Sequence, residues 1–148
     1  MLNPDFRDML STFGDEQVEY LVVGAYALAA HGRPRATGDL DLWVRPTAAN
    51  AARVWRALAR FGAPLEGLSQ SDFAAEGTVE IGVAPRRVDV LTSIDGVSFD
   101  EAWPARLQVE VEGLRLPVIG REHLIRNKRA SGRPQDLADA AWLEGSRG

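Results

Sequence analysis

Three aspartates stand where aspartate is seldom found. Asp39 and Asp41 lie two apart in Asp-Leu-Asp-Leu-Trp-Val, and Asp89 sits inside Val-Asp-Val-Leu. Both stretches read as strands, from which acidic residues are depleted. Side chains two apart on a strand project from one face, roughly 6 to 7 Å apart at the backbone. A carboxylate within an apolar run is costly to bury unless something positive offsets it. A divalent cation can do so, because Mg²⁺ prefers oxygen ligands and is held by a few carboxylates together with substrate phosphates. An arginine can do so too, and Arg86 and Arg87 stand just before Asp89. The residues alone leave both partners open.

A second feature lies upstream, where the apolar stretch Tyr-Leu-Val-Val runs into Gly24-Ala25. A strand that ends at a glycine as a helix begins aims unpaired N–H groups and the helix dipole at one spot, which suits phosphate. On its own such a junction is also an ordinary packing turn. The basic residues cluster as well. Arg121, Arg126, Lys128, Arg129 and Arg133 face a single Glu122 between residues 121 and 133, and Lys128 is the chain's one lysine. Such a cluster is either a solvated helix face or an anion site. Asp136 and Asp139 are three apart, on one face of a helix, where Arg129 or Arg133 could pair with them. His31, at a helix end before Gly32, reads as structural, and His123 carries no signal. Nucleophile-elbow, zinc-helix, dinucleotide and P-loop motifs are all missing.

The elements needed to hold these residues follow from periodicity and punctuation. Asn3-Pro4 opens a helix whose apolar positions are Phe6, Met9, Leu10 and Phe13, with Gly14 closing it. A strand over 20–23 leads into a buried helix over 25–31, and Arg33-Pro34-Arg35 forms a loop. Residues 39–44 alternate as a half-buried strand. Pro46-Thr47 opens a helix with Ala51, Val54, Trp55 and Leu58 on its apolar side, ended by Gly62. Residues 63–77 read poorly, with a short helix after Ser71. Strands over 78–83 and 87–91 flank Ala84-Pro85-Arg86 as a hairpin, and strands over 108–111 and 114–118 make another around Glu112-Gly113. Ser98 and Glu101 form a capping box. Two helices, over 121–130 and 134–143, finish the chain.

The chain has 148 residues, 45% of them hydrophobic and 26% charged, which suits one α/β domain over residues 1–148. It has no cysteine, so disulfides, thiolate metal sites and cysteine nucleophiles are excluded. A net charge of −4 gives no general attraction to DNA. Its longest apolar run, 20–30, falls short of the roughly 18 residues of a membrane span, and no signal-peptide plan opens the chain. A cytoplasmic, single-domain protein is expected.

Together these features resemble the DNA polymerase β-like nucleotidyltransferase superfamily. The pattern is a small-residue pair after the first strand, an Asp-x-Asp strand, and a third acidic residue on a later strand. Arg35-Ala-Thr37-Gly-Asp39-Leu-Asp41 is similar to the Arg-x-Thr-x-Asp-x-Asp of small bacterial members, including nucleotidyltransferase toxins of abortive-infection systems. Arg-Val-Asp89-Val-Leu-Thr and Asn-Lys128-Arg-Ala-Ser-Gly-Arg133-Pro-Gln-Asp136-Leu-Ala-Asp139 also match that group. The resemblance extends from Tyr20 to Leu143. It implies a mixed β-sheet flanked by helices, with Asp39, Asp41 and Asp89 converging on Mg²⁺, or Mn²⁺ in its place. Asp89 would also be a candidate base. It further implies that Gly24 and Ala25 hold a nucleoside triphosphate, with Arg35, Thr37, Lys128, Arg133 and Asp136 near the nucleotide. The product would be a nucleotidylated hydroxyl on a protein, a tRNA end or a small molecule. Ala25 departs from the family, whose members usually carry Gly or Ser there. A catalytically lapsed nucleotide-binding or antitoxin-like partner module of the same fold is the alternative.

Overall fold

The computed structural model describes residues 2–35, 38–82 and 86–146. Helix α1 (Pro4–Asp15) begins where the Asn3 side chain accepts the Phe6 N–H at 2.9 Å, and its Phe6, Met9, Leu10 and Phe13 are buried. It runs through Gly14, the expected stop, to Asp15. Strand β1 (Tyr20–Val23) is buried along its length and passes directly into α2 (Gly24–Ala30). Strand β2 (Leu40–Val44) starts one residue after Asp39. Helix α3 (Ala48–Phe61) is capped by Thr47 and ends at Gly62, whose φ of 91° suits glycine. The expected short helix after Ser71 is a 3-10 turn, Gln70–Phe73.

Strands β3 (Thr78–Ile81) and β4 (Val88–Leu91) pair antiparallel, as do β5 (Leu107–Val111) and β6 (Leu114–Val118). The turn of the first hairpin, expected at Ala84-Pro85-Arg86, lies partly outside the described residues. Helix α4 (Phe99–Ala102) carries the reciprocal Ser98–Glu101 cap. Helices α5 (Arg121–Ser131) and α6 (Pro134–Gly145) pack together, separated by Gly132 and a proline start.

The six strands form one mixed sheet in the order β3-β4-β2-β1-β6-β5. Strand β2 is antiparallel to β1 and parallel to β4, while β1 and β6 are parallel. With helices flanking the sheet, this is the expected α+β architecture. Alternation along β1 and β2 assigns the faces. Val22 and Leu40 share a cavity wall with Leu10 of α1, so α1 lies on that side. Asp41 and Trp43 point to the other side, where Trp43 meets Phe99 edge-on at 5.1 Å. The half-buried reading of β2 therefore fails at Trp43, which α4 covers to 1% exposure. Asn50, 1% exposed, joins the elements below the site. Its side chain accepts the Glu19 N–H at 2.8 Å and donates to the Glu19 and Arg45 carbonyls, each at 3.0 Å.

Candidate active site

Parallel pairing of β2 with β4 sets Asp41 beside Asp89 in register, and antiparallel pairing with β1 sets Asp41 beside Val23. Gly24 follows Val23 with a φ of 70°. A Cβ on Gly24 would lie 2.2 Å from Asp41 Oδ2, so only glycine lets the carboxylate come this close. Asp39 and Asp41 leave the chain on one side, as the alternation requires. The three sequence-predicted aspartates thus gather at the ends of two adjacent strands, against the β1–α2 junction.

Their charges interact. The Asp41 carboxyl is pushed up to about 6, first by burial, then by the charge of Asp89, a hydrogen bond with Asp89, and the charge of Asp39. Arg87 partly opposes this. Arg87 lies two residues before Asp89 on the same side of the chain. Its Nη2 donates to Asp39 Oδ2 at 2.8 Å and to Asp89 Oδ2 at 3.3 Å. Its Nε lies 3.1 Å from Asp89 Oδ1, and Nη1 lies 3.5 Å from Glu80 Oε2. The contact with Asp89 Oδ1 is one of charge, since that buried oxygen has no hydrogen-bond partner. The field of Asp89, with Asp39 and Glu80, raises the Arg87 pKa above its usual value despite some burial. Among the described residues no three acidic or histidine side chains form a ready metal cage. The guanidinium is what stands between Asp39 and Asp89.

The remaining expected site residues form a second network. Asp139 is fully buried and accepts from Arg33 Nε at 3.0 Å and from Arg35 at 2.5 and 2.8 Å. Lys128 Nζ lies 3.8 Å from Asp139 and 3.5 Å from Asp136, and Arg133 Nε donates to Asp136 at 2.7 Å. Burial alone would push the Asp139 carboxyl up, but hydrogen bonds from Arg35 and Arg33 outweigh it and hold the group below the usual range. Asp136 is likewise held low, against burial, by Arg133 and Lys128. Of the two arginines expected to pair here, Arg133 does so, whereas Arg129 meets Glu144. Arg86 pairs with Asp5, so of the two candidate partners Asp89 takes Arg87. Thr37 lies outside the described residues.

Arg35, Lys128, Arg133 and Asp136 are thus brought together in one chain of contacts, Asp139 joining Arg35 to Lys128 and Asp136 joining Lys128 to Arg133, with α6 holding the segment after α2. Ala25 lines a separate cavity of about 470 Å³, with Tyr26, Arg35, Val22 and Leu40 among its walls. That cavity is mostly apolar and opens on the opposite face of the sheet from the aspartates. Sequence reasoning found Arg87 only as an ion-pair partner and missed Glu80. The available signal was the i, i+2 spacing of Arg87 and Asp89 on a strand.

No protein-family model and no curated protein matches the sequence. Solved structures do. The chain aligns with TM1012 of Thermotoga maritima, a protein whose nucleotidyltransferase activity is itself a proposal, at 19% identity and a TM-score of 0.60, covering 98% of this chain and 94% of that one. It aligns with the antibiotic-resistance factor ANT(2'')-Ia at 13% identity and a TM-score of 0.64, covering 97% and 83%. It also aligns with LnuA, a lincosamide antibiotic adenylyltransferase solved with lincomycin, at 15% identity and a TM-score of 0.60, covering 97% of both chains. At such identities the likeness is one of fold.

Proposed function

We propose that the chain is a divalent-metal-dependent nucleotidyltransferase that moves a nucleoside monophosphate from a triphosphate to an acceptor hydroxyl. The observation that carries this reading is the in-register pair Asp41–Asp89, with Asp39 beside it and Gly24 beneath, on a fold shared with nucleotidyltransferases. The donor set fits a hard cation. Asp89 Oδ1 is buried without a hydrogen bond, and Asp41 resists ionising in the metal-free state. Asp39, Asp41 and Asp89 would hold Mg²⁺ or Mn²⁺, which when bound activates the attacking oxygen and offsets charge on the leaving pyrophosphate. Transfer of this kind asks the protein mainly for positioning and charge stabilisation.

The chain's own residues supply that positioning. Gly24 lets the backbone approach closely, so Gly24 and Ala25 can offer N–H groups to phosphate oxygens. Asp89, besides binding, accepts the proton of the acceptor hydroxyl. Arg133, whose side chain is 79% exposed, is the cation of the second network best able to turn toward phosphate. Lys128 and Arg35 are held by Asp136 and Asp139, and Thr37 belongs to the same Arg-x-Thr-x-Asp-x-Asp stretch of sequence. Two of the fold neighbours are named for antibiotics. Of the three acceptor classes expected from the sequence, a protein, a tRNA end or a small molecule, the small hydroxylated molecule is the first to be tried.

One observation favours a second reading, a nucleotide-binding or antitoxin-like module without turnover. Ala25 brings no hydroxyl to the phosphate turn. Incubation with each α-labelled nucleoside triphosphate, Mg²⁺ or Mn²⁺, and protein, RNA or small-molecule fractions of a cell extract separates the two. Label transfer that disappears in Asp41→Asn supports the enzyme. Triphosphate binding without transfer supports the module. Equal triphosphate affinity with and without metal, read by calorimetry, counts against the carboxylate site altogether.

A further inference from the structure

Arg87 lies where a bridging cation would lie. Its guanidinium spans Asp39 at 2.8 Å and Asp89 at 3.1 Å, and its outer nitrogen faces Glu80. Its backbone is fixed, since the Arg87 carbonyl accepts the Leu40 N–H at 3.0 Å in line with the β2–β4 pairing. The side chain is 33% exposed, so it can turn outward without breaking the sheet. A guanidinium and a divalent ion cannot both sit between the same two carboxylates. Resting on the reading that these carboxylates bind such an ion, we propose that Arg87 is the site's resident counter-cation, which the ion displaces from Asp39 and Asp89.

The exchange explains why the acidic pair is tolerated before any ligand arrives. Three carboxylates at one point repel, and an arginine already among them lowers that repulsion. It also sets a condition on loading. An ion entering alone breaks the contacts of Arg87 with Asp39 and Asp89 and leaves the guanidinium its longer contact with Glu80, at 3.5 Å. An ion entering with a triphosphate offers the released guanidinium phosphate oxygens, for which its planar fork is suited. The ion by itself is therefore bound weakly, and the triphosphate licenses it.

Titration of Mn²⁺ alone into the parent protein, Arg87→Gln and Arg87→Lys, followed by calorimetry or by the spin signal of free Mn²⁺, tests this. Arg87→Gln is expected to bind Mn²⁺ alone about tenfold more tightly or better, with a smaller enhancement on adding triphosphate. Arg87→Lys keeps the charge but lacks the fork, so its affinity should fall between the two, and it carries the comparison should Arg87→Gln not fold. Variants that bind Mn²⁺ alone no better than the parent, while the parent binds it with triphosphate, overturn the exchange and leave the metal site standing. Absence of Mn²⁺ binding by every protein, with and without triphosphate, overturns the metal site and the exchange together.

Discussion

Asp41 bears the cost of burial and, after it, of its acidic neighbours. Its carboxyl is pushed from 3.8 up to about 6 by burial and by Asp89 and Asp39. A group that holds its proton more tightly in the fold than unfolded lowers stability as it ionises. The metal-free protein should therefore lose stability from Asp41 as pH rises between 3.8 and about 6, and lose no more above that. Asp136 and Asp139, held low, act in the opposite direction as pH falls. The difference between the parent and Asp41→Asn isolates the Asp41 contribution. Asn keeps the shape and a donor toward Asp89, so Asp41→Asn should melt higher than the parent at neutral pH in chelator, by roughly 2–4 °C for each kcal/mol recovered. Asp89→Asn should melt lower, because Arg87 loses its closest partner after Asp39. Thermal unfolding of the three proteins across this pH range checks both signs. An Asp41→Asn protein no more stable than the parent would mean that the carboxyl is not strained.

At the scale of elements, α6 holds the segment between α2 and β2 through one buried carboxylate. Asp139→Ala would take from Arg33 and Arg35 the carboxylate they share and leave Lys128 with Asp136, and loss of one partner from a buried pair costs about 3–5 kcal/mol. Asp136→Ala should cost less, since its shortest contact is to Arg133, which is largely exposed. Urea unfolding of the two variants gives the comparison, and equal losses would deny Asp139 its place at the centre. Most elements were legible in the sequence, because apolar residues recur at helical or strand spacing and Asn3, Ser98, Gly62 and Pro134 mark the boundaries. Their mutual placement was not. Nothing local says that β2 lies beside β4 with α3 between them in the chain, so the convergence of Asp41 and Asp89 was expected only through a resemblance, and their register is seen only in the fold. Nor does a strand's own pattern reveal that a four-residue helix will cover Trp43. The Arg35–Asp139 bond was hidden for the same reason, the two residues lying at opposite ends of the fold's sequence.

Across the whole molecule, the two hairpins occupy the edges of the sheet, while its centre joins distant segments: Leu40 meets Val88, and Val22 meets Val118. Local hairpins close cheaply and early, whereas pairings between remote segments must first meet the entropy of closing long loops. The β2–β4 pairing is of the second kind, and it alone brings Asp41 to Asp89. Until it forms, Asp89 lies far along the chain from the neighbouring Asp39 and Asp41, and the three carboxylates have no common point at which to repel or to bind. The site is thus expected to form late in folding, with any ligand acting on the finished protein. Saturating Mn²⁺ with triphosphate should then slow unfolding in stopped-flow denaturant jumps while leaving the refolding rate unchanged. A matching acceleration of refolding would place the aspartate pairing in the folding nucleus. With the pairing late, ligand sets how long a folded molecule lasts and has no say in how soon it forms.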